Sequence, residues 1–185
     1  MITFFEIPKN ASRYANVLTR SLITNDTVNV CFLRDPYERF WDAVKTIIPS
    51  ISYYGSYPPN GTALIKEYAP LNINYQAAIE QALGMLGQSQ WIHLATQTSF
   101  IGDKKFNEVF MVDANLISNC ESLVAKYNLT PIENFTFNQY VNQSPIDIDM
   151  TVMAYIKGTP TIQQQLANFY AVDFALLNDF SNIKK

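Results

Sequence analysis

Residues Val28–Leu33 read Val-Asn-Val-Cys-Phe-Leu, an almost unbroken apolar run that stops at Arg34-Asp35-Pro36. A run this short suits a strand rather than a helix, and apolar side chains on both of its faces require a covering layer on each side of the sheet. Asp35 then offers a side-chain oxygen to the first unpaired amides of a helix, and Pro36 fits the first helical position, where no N–H is needed. The run therefore predicts a central strand passing directly into a helix. A chain organised around such a unit is an α/β protein.

The rest of the chain extends this pattern. Thr3–Ile7 is a short β-prone run ended by Pro8, and Ser12 can cap a helix reaching about Ile23, with Tyr14, Val17, Leu18 and Leu22 facing the core. The helix opened by Pro36 is expected to end near Ile48, before Pro49, and 50–60 reads as an aromatic loop. Helices are predicted near Ala63–Tyr68, Tyr75–Leu86 and Asn115–Tyr127, and a second buried strand over Glu108–Val112. After an Asn- and Pro-containing loop over Thr130–Pro145, Thr159-Pro160 starts one long amphipathic helix through Asn178. Strands alternating with helices imply a mostly parallel sheet flanked by helices, in a single domain over 1–185. Ligands in such sheets bind at the carboxyl ends of the strands.

Composition narrows the function. The formal charge of −3 disfavours general nucleic-acid binding, although a local positive pocket is compatible with it. Two cysteines, Cys31 and Cys120, are too few for a disulfide framework, and Cys31 lies within the apolar run. No stretch approaches the ~18 apolar residues of a membrane span, and the N-terminus lacks the pattern of a signal peptide. A cytoplasmic protein without membrane or nucleic-acid partners is expected, so the Asn-x-Ser/Thr triplets at Asn10, Asn25, Asn60, Asn128, Asn134 and Asn142 are read as chance. No Cys/His cluster has metal-ligand spacing.

Two segments carry chemistry. Ile7-Pro8-Lys9-Asn10-Ala11-Ser12 lies between a strand and a helix, where unpaired amides, the helix dipole and Lys9 favour an anion. The Walker glycines are missing, which argues against a nucleotide kinase or another Walker-type phosphotransferase. The second segment is Arg34-Asp35-Pro36-Tyr37-Glu38-Arg39. With the Lys9 loop preceding it, the chain resembles the sulfotransferase superfamily that uses 3′-phosphoadenosine 5′-phosphosulfate (PAPS), particularly its carbohydrate-modifying branch. His93-Leu94-Ala95-Thr96-Gln97 is similar to a His-x-x-x-Gln segment of that branch, and Tyr170-Ala171-Val172-Asp173-Phe174 to a pattern in its closing helix.

The resemblance implies a P-loop-like sulfotransferase fold and a role for each matched residue. Lys9 would stabilise the bridging oxygen during in-line sulfuryl transfer, with the amides of Asn10, Ala11 and Ser12 around the 5′-phosphate. Arg34 would grip the 3′-phosphate, and a guanidinium suits that task. Asp35 is a helix cap, while Glu38 and Arg39 brace the helix. The chain departs from the pattern where the loop hydroxyls are replaced by Arg13 and Tyr14. Arg13 could supply charge in their place. It departs again at Asp42, which stands where a serine usually binds the 3′-phosphate; a carboxylate there weakens binding unless it turns away or a cation intervenes.

The proton acceptor stays open between His93, which also suits a structural or positioning role, and Glu6. Tyr53, Tyr54, Tyr57 and Trp91 read as packing residues before sugar-stacking ones, and Phe169, Tyr170 and Phe174 as core. The expected activity is transfer of a sulfuryl group from PAPS to a hydroxyl of a carbohydrate or small metabolite, releasing adenosine 3′,5′-bisphosphate (PAP). The alternative is a catalytically inactive nucleotide-binding or structural module of the same fold.

Overall fold

The computed structural model describes residues 2–5, 7, 22–23, 28–54, 74–128, 130–131 and 146–183. Strand β1 (Ile2–Phe5) is followed by the short β2 (Leu22–Ile23), and β3 (Val28–Leu33) leads into helix α1 (Pro36–Tyr54). Then come α2 (Tyr75–Leu83), a 3-10 turn (Ile92–Leu94), α3 (Gln97–Ile101), β4 (Glu108–Met111), α4 (Leu116–Lys126) and β5 (Thr130–Pro131). Three helices close the described chain: α5 (Ile146–Gly158), α6 (Pro160–Phe169) and α7 (Ala171–Ile183). No helix among the described residues is long and apolar enough to cross a membrane.

The apolar run becomes the middle strand. β1, β3 and β4 form a parallel sheet in the order β1-β3-β4, with Phe5 opposite Cys31 and Leu33 opposite Met111. Side chains alternate across a strand, and the two faces of β3 enter different clusters. Val28, Val30 and Phe32 pack with Cys120 and Leu123 of α4. Cys31 and Leu33 pack with Ile7, with Ile101 of α3, and with the partly buried Leu176 and Leu177 of α7. Both faces are thus covered, as the absence of polar alternation requires. Asn29 is the exception: it opens the β3–β4 pairing, its N–H donating to Asn107 Oδ1 at 2.8 Å while its carbonyl accepts from the Asn107 N–H at 2.9 Å. β4 is half-buried along its length, not fully buried as its apolar sequence suggested. It pairs with β3 on one side only, and its outer edge has no ladder partner among the described residues.

The helices form a second core. Phe40, Ala43 and Val44 of α1 meet Ala78, Ile79 and Ala82 of α2, Val152 and Ile156 of α5, and Ile162 and Leu166 of α6. α2 begins where Asn74 Oδ1 accepts from the amides of Gln76 and Ala77.

Several boundaries differ from the sequence reading. Leu22–Ile23 is a strand paired antiparallel with Thr130–Pro131, not the end of a helix; this long-range pairing has no local signature, and most of the expected helix and the Ala63–Tyr68 helix lie outside the described residues. α1 continues through Pro49 to Tyr54, so 50–54 is helix rather than loop. Pro49 removes its own bond to the carbonyl four residues earlier and crowds that carbonyl, a local cost that the helix carries without ending there. The 75–86 helix stops at Leu83. α5 was not anticipated, although Val152 and Ile156 are one turn apart and both buried. The long C-terminal helix is two helices divided at Tyr170.

Cys31 is fully buried at the centre of the sheet, and burial pushes its thiol up to about 12 from an ordinary 9.0. The native state then keeps a proton that the unfolded chain releases above pH 9. Stability is expected to fall between about pH 9 and pH 12, with a Cys31 contribution of ~1.4 kcal/mol per pH unit that Cys31→Ala removes. Urea unfolding at stepped pH measures the slope.

Candidate anion site at the carboxyl end of β3

Arg34 is the first residue beyond β3, and its backbone is held from both sides by one side chain. Its N–H donates to Gln97 Oε1 at 2.9 Å, and its carbonyl accepts from Gln97 Nε2 at 2.9 Å. The buried Gln97 amide thus pairs with Arg34 much as a neighbouring strand would. Gln97 is itself fixed, because its N–H donates to Asp173 Oδ2 at 2.7 Å. The other oxygen, Asp173 Oδ1, accepts from both the N–H and the hydroxyl of Thr98 at 3.0 Å. Asp173 lies in the first turn of α7 and serves the first turn of α3, so one fully buried carboxylate meets two helix starts.

Next to this cluster, Asp35 caps α1 as anticipated: Oδ1 accepts from the amides of Tyr37 and Glu38 at 2.9 and 3.1 Å. Arg39 is not the surface brace expected. It is fully buried, and Nη1 donates to the carbonyl of Ala95 at 2.5 Å. Burial pushes its guanidinium downward, and the nearby Tyr170 and Asp173 pull it back up. Tyr170 ends α6 and donates from its hydroxyl to the carbonyl of Leu94 at 2.8 Å. The core placement read for Tyr170 holds, with a hydrogen bond added.

The side chain of Arg34 leaves this buried frame for the surface of α1. Nη1 pairs with Asp42 Oδ2, and Nε lies 3.6 Å from Glu38 Oε2. The second oxygen, Asp42 Oδ1, is 2.7 Å from Lys45 Nζ. Glu38, Asp42 and Lys45 are four and three residues apart, so they share one face of the helix. Asp42 does not stand alone: two cations, Arg34 and Lys45, take its two oxygens. Lys45 went unnoticed in sequence, although its spacing from Asp42 places it on the same stripe.

The other predicted residues divide between described and undescribed chain. Lys9, Asn10, Ala11, Ser12 and Arg13, with Glu6, lie outside the described residues. Ile7 is described, and it is buried with Cys31 and Leu33. β1 and β3 being parallel neighbours, Ile7 and Arg34 leave the sheet at the same end. His93 sits half-buried in the 3-10 turn, which packs on α1. Nearby, Gln88, Trp91, Ile92, Ser99, Phe100 and Phe169 line an open groove of about 360 Å³, and Ala95 and Thr96 complete it beside the Gln97 clamp. Trp91 also packs on the helical core and donates from Nε1 to Gln88 Oε1 at 3.2 Å, so its packing role is met. Among the described residues no group of three or more His, Cys, Asp and Glu side chains could hold a metal ion.

Comparison with protein-family models, with curated proteins and with solved structures gives no match.

Asp173 is the test of this frame. Asp173→Ala removes the acceptor of three hydrogen bonds and the charge facing Arg39. It is expected to destabilise the fold by about 3 kcal/mol or more, read as a shift in the urea midpoint. Asp173→Asn keeps the shape and one acceptor, and should recover part of that loss.

Proposed function

We propose that this chain is a PAPS-dependent sulfotransferase that transfers a sulfuryl group to a hydroxyl of a carbohydrate or small metabolite. The observation that carries the reading is the placement of Arg34. The two segments that resemble the family's phosphate motifs follow neighbouring parallel strands, and the second begins at a backbone clamped by Gln97. The stretches similar to the family's later motifs include Gln97 and Asp173, which form that clamp, and Tyr170, which bonds the preceding turn at Leu94. Three segments far apart in sequence, at Arg34, Gln97 and Asp173, are thus linked through Gln97, which suits a ligand site at the carboxyl end of the sheet.

In this reading the acceptor hydroxyl attacks sulfur in line. The bond between sulfur and the bridging oxygen breaks, PAP leaves, and the hydroxyl proton passes to a base. Lys9 neutralises the charge growing on the bridging oxygen, and amides of Asn10, Ala11 and Ser12, assisted by Arg13, hold the 5′-phosphate. Arg34 binds the 3′-phosphate. His93 or Glu6 accepts the proton. The groove at Trp91, Phe100 and Phe169, with Gln88 and Ser99, offers the mixed apolar and hydroxyl surface that suits a sugar. The buried thiols of Cys31 and Cys120 fit a reducing, cytoplasmic location.

The ion pairs of Asp42 favour a second reading, a nucleotide-binding or structural module without catalysis. Calorimetry and transfer assays separate the two. Intact protein is expected to bind PAP, with Lys9→Ala and Arg34→Ala each weakening affinity at least roughly tenfold, the scale of one lost charge-assisted contact. Absence of PAP binding would falsify the enzyme reading. Binding without movement of radiolabelled sulfate from PAPS to any of a panel of sugars would leave the module.

A further inference from the structure

We propose that Asp42 is an affinity-determining residue that competes with the donor's 3′-phosphate for Arg34, and so sets how strongly the site prefers a 3′-phosphorylated nucleotide over a 3′-hydroxyl one. The inference rests on the sulfotransferase reading and concerns the same site. Among the described ion pairs, Arg34 and Lys45 carry two positive charges and Glu38 and Asp42 two negative ones, so these four side chains sum to zero. A phosphate dianion gains little from a neutral cluster; it needs a carboxylate displaced from the guanidinium.

Asp42 is the carboxylate that matters. It is the more buried of the two, with a side chain 11% exposed against 42% for Glu38, and it holds the closer contact to Arg34. Limited water around it leaves its field on Arg34 less screened. The arrangement also supplies a way out. Because Asp42 reaches Arg34 through Oδ2 and Lys45 through Oδ1, it can surrender Arg34 and stay paired with Lys45. The Arg34 side chain is 21% exposed, within reach of a ligand, while its backbone stays locked to Gln97. Ligand binding thus exchanges one anion for another at a fixed arginine, and the exchange costs affinity only for a nucleotide that brings a 3′-phosphate.

Calorimetric titration of PAP and of adenosine 5′-monophosphate, which lacks that group, tests this in wild type, Asp42→Asn, Asp42→Ser and Glu38→Gln. The expected result is PAP binding tightened on the order of tenfold in both Asp42 variants, with adenosine 5′-monophosphate changed less than about threefold. The gain should shrink as salt is raised, and Glu38→Gln should give a smaller one. Two substitutions of different shape guard against one failing to fold, which circular dichroism reports. Equal PAP affinity in wild type and a folded Asp42 variant overturns the inference and leaves the sulfotransferase reading standing. An equal gain in Glu38→Gln, or an equal gain for adenosine 5′-monophosphate, also overturns it, since either marks a general charge effect. No PAP binding in any of the four proteins overturns both the inference and the reading beneath it.

Discussion

The amide of Gln97 closes two 2.9 Å hydrogen bonds on the backbone of Arg34 at the point where β3 gives way to α1. Beyond the last ladder bond a strand end has backbone groups in need of partners, and leaving them buried and unpaired carries a penalty of ~1–3 kcal/mol each. Gln97 satisfies them with a group from a different layer of the molecule, so the 3-10 turn and α3 are joined to the sheet through one residue. Asp173 extends the connection by fixing the backbone of Gln97 and Thr98 from the start of α7. The end of the middle strand, the short helix beside it and the closing helix are therefore tied together by hydrogen bonds. The direction in which the Arg34 side chain departs is inherited from that assembly.

Arg39 shows how costly groups are tolerated in the same place. A guanidinium removed from water carries a desolvation penalty that a single contact does not offset. Here it has the carbonyl of Ala95, the field of Asp173 and the hydroxyl of Tyr170 around it. Tyr170 is in turn committed to Leu94. Each member restrains the next, which favours one arrangement of the turn between Trp91 and Gln97 over loosely packed alternatives. The division of the C-terminal helix follows from the same constraint. A continuous helix through 159–178 would carry Tyr170 and Asp173 on one uninterrupted face, whereas the break at Tyr170 lets α7 restart with Asp173 in its first turn, against the start of α3.

Polar chemistry at this end of the sheet is thus split by depth. Gln97, Asp173 and Arg39 are fully buried, with Gln97 bonded to Arg34 and Asp173, and Arg39 Nη1 to the carbonyl of Ala95. Arg34, Lys45 and Glu38 lie further out, with Asp42 between the two zones. The inner zone supplies rigidity; the outer zone keeps charges that water or a ligand can reach. That separation holds the backbone of Arg34 in place while its side chain stays accessible at the surface of α1.

Local rules made a good part of this legible. The six-residue apolar run named the middle strand, because a strand with no polar alternation must be covered on both faces, and Asp35-Pro36 named the start of α1, because capping depends only on neighbours. Arg34 and the Lys9 loop were singled out by resemblance to a family, and the Lys9 loop lies outside the described residues. What the sequence could not decide were matters of distance. The pairing of Leu22–Ile23 with Thr130–Pro131, the burial of Arg39 and the clamp of Gln97 and Asp173 on Arg34 all join residues more than fifty positions apart. A single Asp in the otherwise apolar Ala171–Leu177 was the only local hint of the last. The charge pairing around Arg34 was local as well: Asp42 and Lys45 are three residues apart on α1, so the cation that meets the second Asp42 oxygen was within reach of spacing alone. Sequence spacing determines which side chains share a helix face or a strand face, whereas burial and the contacts between distant segments depend on which elements pack together, and only the tertiary structure settles that.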